Sequence, residues 1–337
     1  MKKITWIYLL VCISFSALYA GEIAEDIELA EAELLSDYNL IGNWVNQELT
    51  EGLAYNAGSG NLFPAEVIEF PGFEFGFTGG STIWSIDTAA FKALNLNTLD
   101  TSSSTNEKIN MKNKIGMFNS IGHIKAALPW FRTDVGARFG EFTFEDDTGD
   151  ADIEINNVIW GVEVRKRLLG GAWTNIFFPD ISLNVSFDSA NGKITRQETY
   201  SDLLPEKTYD GTSYKQEINV VNSWETTWNV HNIGVKGIIS KDLWFFVPFL
   251  GLGINKHMGT TKTEIRTAGI LSIEEPVFPS FSKTLDIVSQ QKKDADDTSL
   301  SFFLGLELKI LAVRLGLSSE FSGNYASYHA GLRFQFR

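Results

Sequence analysis

Residues 298–337 read TSLSFFLGLELKILAVRLGLSSEFSGNYASYHAGLRFQFR, and their periodicity decides the fold. Leu300, Phe302, Leu304, Leu306, Leu308 and Ile310 fall on every second position, with Ser301, Gly305, Glu307 and Lys309 between them and Phe303 the one apolar intruder. Val313, Leu315 and Leu317 then alternate with Arg314, Gly316 and Ser318. Tyr328, Ala330, Leu332, Phe334 and Phe336 alternate with His329, Gly331, Arg333 and Gln335. Successive side chains of a strand point to opposite faces, so each run has one apolar and one polar face. Segments of about ten such residues, closing on an aromatic-rich strand, are the pattern of an all-β, transmembrane antiparallel up-and-down β-barrel of the outer-membrane type.

The same alternation recurs upstream. Phe73, Phe75 and Phe77 oppose Glu74, Gly76 and Thr78 in a first strand beginning near Phe70. Further strands are expected near Met117–Ala127, Trp130–Glu141, Ile155–Leu168, Pro179–Ser189, Thr226–Ser240 and Leu243–Lys256, which with the four above makes ten. Connections give an independent check, because such barrels have short turns at one end and long loops at the other. The expected short turns lie at Leu128-Pro129, Leu169–Phe178, Lys241-Asp242 and Leu311, and the expected loops at Thr88–Gly116, Phe142–Glu154, Ala190–Glu225, His257–Asp297 and Ser322–Tyr325. The two longest loops have room for further hairpins, so 12–14 strands are also compatible. Pro248 predicts a bulge, since proline cannot donate to a ladder. The Leu311-Ala312 turn lacks the Gly, Asn or Asp that tight hairpins prefer.

The first twenty residues read as an export signal, with Lys2 and Lys3 before an apolar run to Phe15 and Ala20 before the expected cut. Cys12 in Leu9-Leu10-Val11-Cys12 is a weak lipoprotein box, and plain cleavage is the better reading. The formal charge of -14 becomes -16 once Lys2 and Lys3 are removed, which argues against nucleic acid as a partner. Leu243 to Ile254, the longest apolar run of the mature chain, is too short for a membrane helix and holds Pro248. Localisation in a bacterial outer membrane follows, with membrane lipid and the barrel-assembly machinery as expected partners.

Residues 21–66 form an N-terminal helical or plug segment, and 67–337 the barrel. Ile23, Ile27, Leu34, Leu35, Leu40, Ile41, Trp44, Val45 and Leu49 follow a helical spacing among acidic residues, while Tyr55 to Asn61 reads as a loop. A short helix outside the barrel is preferred to a plug in its lumen. Leu243 to Ile254 puts Phe245, Val247 and Phe249 on the inner face, which requires an apolar cover. The helix is preferred to a greasy ligand for that role.

Gly72-Phe73-Glu74-Phe75-Gly76, Gly161-Val162-Glu163-Val164, Pro248-Phe249-Leu250-Gly251-Leu252-Gly253 and Gly331-Leu332-Arg333-Phe334 follow one another in an order. That order resembles an uncharacterised family of bacterial outer-membrane β-barrels, known only as a domain of unknown function. The chain is also loosely similar to long-chain fatty-acid transporter-like barrels. That second resemblance implies fourteen strands and an N-terminal plug. Phe336 is penultimate and Arg337 last, a departure from the terminal aromatic of such barrels.

No serine-hydrolase elbow, phosphate-binding glycine loop or zinc-protease helix occurs, so no enzyme, cofactor or metal is expected. His123, His231, His257 and His329 have no metal-ligand spacing and read as lumen or loop residues. The acidic run from Glu145 to Asp152 does not match an EF-hand loop and reads as a solvated tip. On the register above, Glu74, Arg138, Glu163, Arg165, Glu307, Lys309, Arg314 and Arg333 share the polar face and are the candidate lumen-lining residues. The functional expectation is a pore or passive transporter for small or apolar solutes. The alternative is a structural or surface-interaction barrel acting through its long loops. A secreted sandwich would instead bury its apolar face against a second sheet.

Overall fold

A computed structural model describes residues 20–60, 62–97, 113–129, 132–147, 151–170, 178–209, 212–274 and 281–336, with side chains from residue 28 onward except at 202–209, 212–216, 218, 273–274 and 281. The expected export signal, the middle of the acidic run and the centre of the 169–178 turn lie outside the described residues. A long helix, α1 (Ala20–Gly58), is followed by an irregular segment and then by strands β1 (Phe73–Ser85), β2 (Lys114–Ala127), β3 (Thr133–Asp146), β4 (Asp152–Leu169), β5 (Asp180–Tyr209) and β6 (Thr212–Ser240). After these come β7 (Phe246–Glu274), β8 (Phe281–Ala295), β9 (Thr298–Ile310), β10 (Val313–Ser322) and β11 (Tyr325–Phe336). A short helix α2 (Thr88–Lys92) lies between β1 and β2. The ring closes where β1 meets β11 antiparallel, from Phe73 opposite Phe336 to Trp84 opposite Tyr325. Closure is required, because a strand edge left open in lipid would strand its backbone donors and acceptors.

Of the eleven strands among the described residues, β8 pairs with the far half of β7 alone, so ten strands make the ring. β9 takes the near half of the same β7 edge, from Phe246 to Lys256, and the His257 N–H donates to the Asp297 carbonyl (2.8 Å) across the gap. The expected loops 190–225 and 257–297 are therefore not loops and hide no further spanning pair. They are mostly continuations of β5, β6 and β7, which run 30, 29 and 29 residues, together with β8. About ten residues cross a bilayer. The excess rises above the ring as a four-stranded extension.

The sides of the wall are the reverse of a soluble sheet. In β4, Trp160, Val162 and Val164 are exposed on the outside while Asn157, Glu163, Arg165 and Arg167 are buried inside. The outer face also changes along the strands. On β5 it runs Leu183, Val185, Phe187 and then Asn191, Lys193, Thr195, Gln197; on β6 Val235 and Ile233 give way to Asn229 and Glu225. Phe187 lies opposite Ile233, so the apolar belt ends at one level on both strands. Near the upper edge the ring of Phe187 packs on Trp160 (5.5 Å) and His231 (5.8 Å). At the lower edge, across the β1–β11 seam, Phe73 stacks on Phe336 (5.0 Å) and Phe75 on Phe334 (5.3 Å).

Two expectations about the turns change. Pro248 produces no bulge, and the β7–β9 register passes through it unbroken. Its carbonyl accepts from Lys241 N (3.2 Å), so its missing donor points to the same side, just past the end of β6 at Ser240. No ladder bond is lost there. The β9–β10 hairpin forms without glycine by holding Leu311 at φ 56°. A non-glycine residue in the left-handed region costs roughly 1–2 kcal/mol, partly offset by the extra unfolded-chain freedom of a glycine replacement. Leu311→Gly should therefore raise the unfolding free energy by about 0.5–1 kcal/mol in urea titrations of the protein in lipid, with unchanged heat-modifiable mobility. A loss of stability would show that the Leu311 side chain contributes more than its backbone costs.

Candidate functional site

The distinctive chemistry lies inside the ring. At 1.5 Å per residue, the 39 residues of α1 span about 58 Å, more than twice the height of an apolar belt of ~25 Å. The helix is not set outside the barrel, as preferred from sequence. Its first half packs against the extension, and its second half descends through the lumen. Leu34 and Tyr38 meet Ile287 of β8, while Trp44, Leu49, Leu53 and Ala57 pack among Trp84, Ile121, Ile159, Trp228 and Val230. Gly52 lets the helix touch the wall: a Cβ there would come within 2.4 Å of the Trp84 ring, whose Nε1–H donates to the Glu48 carbonyl (2.9 Å). The expected loop at 55–61 is helical through Gly58, since Tyr55 and Ala57 are buried and the last carbonyls find a cap.

That cap is Arg138 of β3. Its guanidinium donates to the carbonyls of Ala57 (2.6 Å) and Ser59 (2.7 Å), and pairs with Asp188 of β5 (2.7 Å). A cation at a helix C-terminus also meets the negative end of the helix dipole. Arg138 and Asp188 sit on strands that are not neighbours; β4 lies between, and Gly161 occupies the crossing. A Cβ at Gly161 would come within 2.1 Å of Asp188 Oδ1 and 3.0 Å of Arg138 Nε. The glycine is the gap through which the pair forms.

Below the helix, residues 62–72 cross the lower lumen without a strand partner, so wall side chains must satisfy their backbone. Ala65 N donates to Ser240 Oγ (3.0 Å) and Ile68 N to Asp134 Oδ2 (3.2 Å). Arg165 donates to the Pro64 carbonyl (2.8 Å) and pairs with Asp134 (2.9 Å), while Arg167 donates to the Val67 carbonyl (3.1 Å). Leu62 and Ala65 also cover Phe249, Ile238 and Phe303. The cover for the apolar inner face of β7 thus comes from this segment, not from the helix, and Phe245 instead sits in a turn, half-exposed.

All eight sequence-derived candidates project inward, and they join into networks. Glu74 accepts from Arg333 (2.7 Å), which also pairs with Glu307, tying β1, β11 and β9 together. Glu163 pairs with Lys125 (2.6 Å) and accepts from Asn184 (2.8 Å). Lys309 binds Glu66 and Asp242 (2.6 Å each), and Arg314 donates to Gln335 (3.1 Å). The sequence reading missed the partners Lys125, Asp134, Asp188, Lys236 and Glu320, the last two paired at 3.0 Å. The signal was present: Asp188 continues the Ser182, Asn184, Ser186 row of β5, and Glu320 continues Ser318 on β10. Three histidines lie inside, but His231 is neither lumen nor loop; it lines the outer wall against Phe187. Near the extension, burial pushes the Tyr38 hydroxyl above its ordinary range.

Comparison with known proteins gives no family model and no curated protein that matches this chain. Among solved structures it is similar to the translocator domain of the autotransporter NalP from Neisseria meningitidis, at 10% identity and TM-score 0.30, covering 95% of this chain and 100% of that one. It is also similar to a major outer membrane protein from Thermus thermophilus (8%, TM-score 0.30, 78% and 99% covered) and to the Ralstonia pickettii toluene transporter TbuX (8%, 0.25, 79% and 89%). Each is a barrel, and likenesses of this size carry no argument about what this chain does.

Removing one member of a buried pair strands its partner, at a cost of about 3–5 kcal/mol, whereas removing both is milder. Arg138→Met should lower stability by about that amount and speed amide exchange at residues 50–60. Adding Asp188→Leu should restore part of the loss, and Gly161→Val alone should resemble Arg138→Met. Equal, additive losses in the double variant would contradict the coupling.

Proposed function

We propose that this chain is a bacterial outer-membrane barrel whose working part is the four-stranded extension with the first half of α1 and with α2 on the outside of the cell, the ring serving as its anchor. The observation that carries this reading is the lumen, filled by α1 above and by residues 62–72 below, each fastened to the wall by buried side chains. The apolar belt suits lipid, and the polar outer face of β5–β8 suits water. By the usual disposition of turns and loops, the short turns face the periplasm and the extension faces outward. Lipid and the assembly machinery are the expected partners of the ring; no catalytic role is part of the proposal.

A second reading keeps the expectation of a pore or passive transporter for small or apolar solutes. The mixed charges of the inner wall favour it, since they would line a wet passage were the helix to leave. Planar-bilayer conductance separates the two. The surface reading expects no steady conductance from the intact chain and an open channel once residues 20–60 are deleted. It also expects protease added to intact cells to cut within residues 190–225. Steady conductance from the intact chain, with those residues protected, would overturn it.

A further inference from the structure

Beyond the apolar belt, a pocket of about 230 Å³ lies between the middle of α1, α2 and the walls of β5–β7. Trp224 on its wall is nine residues beyond Ile233, where the belt ends, or about 30 Å of strand at ~3.3 Å per residue. Ile41, Trp44 and Val45 of α1, Phe91 of α2 and Ile265 of β7 make the apolar sides, with the Trp44 and Phe91 rings 4.9 Å apart.

Several polar groups around this space are engaged. Tyr38 and Thr267 share a hydrogen bond (2.6 Å), Thr267 donates to Asn222 Oδ1 (2.6 Å), and Trp44 Nε1 donates to the Asp87 carbonyl (3.1 Å). Arg266 holds Asp286 through two bonds (2.9 and 3.2 Å). Two solvent-shielded nitrogens are left without an acceptor, Trp224 Nε1 and Arg196 Nε, the rest of the Arg196 side chain being 40% exposed. Their residues stand directly opposite each other on β6 and β5, and the Arg196 contact with Glu198 (3.5 Å) uses a different nitrogen. Both orphans are donors, which selects the chemistry of what can enter: an unpaired buried donor is costly, and an anionic oxygen is its strongest partner.

We infer that this pocket binds a small amphipathic carboxylate, its carboxylate oxygens accepting from Trp224 Nε1–H and Arg196 Nε–H and its apolar body lying against Trp44, Phe91 and Ile265. The volume equals that of roughly eight waters at ~30 Å³ each, room for a phenyl ring on a short acid chain. A cation is disfavoured, because the nearby carboxylates of Glu198 and Asp286 already face arginines. The inference rests on the surface reading only for the side of the membrane from which the ligand arrives.

Titration calorimetry on the full-length protein refolded in lipid, with 3-phenylpropionate, 3-phenylpropanol and phenethylammonium as probes, tests it. Saturable binding of the acid is expected, at least tenfold weaker binding of the alcohol, and none of the ammonium. Trp224→Phe and Arg196→Lys, which each remove one orphan donor while keeping bulk or charge, should weaken the acid about tenfold, the worth of one hydrogen bond to a charged group. Should either variant misfold, Ile265→Phe, which narrows the pocket, should weaken acid and alcohol alike. No binding of the acid, or acid and alcohol bound equally, overturns the site. Acid bound by the refolded protein but not by intact cells would sustain the site and overturn the surface reading.

Discussion

In hydrocarbon no water satisfies a backbone N–H or C=O, and that single constraint organises this molecule. It forces the sheet to close, which sets β11 beside β1 and gives the chain two unlike sides. The apolar side faces out around the ring and the charged side faces in, so Arg165, Lys125 and Glu74 are among the most buried residues while Phe77 and Leu252 are more than half exposed. A sandwich of the same strands would show the opposite distribution.

Closure creates a second problem, because a ten-stranded ring encloses charges that water alone would have to serve. The chain answers with its own N-terminal segment. α1 brings apolar side chains to the upper lumen, and the backbone of residues 62–72 brings carbonyls and amides to the arginines, Asp134 and Ser240 below. Arg138 joins the two solutions. It neutralises Asp188 across a glycine gap and caps the helix with the same guanidinium. The ion pairs are thus as much fasteners of the filling as braces of the wall.

The wall was legible in the sequence because a two-residue period needs no distant information: the row Glu163, Arg165 beside Val162, Val164 states which side is which. Placement of the helix was not legible. The apolar stripe of Ile41, Trp44, Val45 and Leu49 says that something covers it, but a stripe does not name its partner, and Arg138 and Ala57 are some eighty residues apart. Nor did composition separate a long polar loop from a long strand. Above the lipid the outer faces of β5 and β6 are polar and the inner faces mix Ile194, Trp224 and Trp228 with Arg196, Glu198, Asn222 and Thr226, so the alternation that marks a strand is blurred where the strands persist.

The central claim is that α1 descends inside a sealed ring. An engineered cross-link tests it most directly, since an ideal Cβ at Gly58 would lie 3.2 Å from the Cβ of Asn232, near the ~3.8 Å separation of disulfide pairs. With Gly58→Cys and Asn232→Cys in the refolded protein, mild oxidation should join the helix end to β6 in high yield while heat-modifiable mobility is retained. A fully folded barrel in which both thiols stay free and react at once with a membrane-impermeant maleimide would contradict the account.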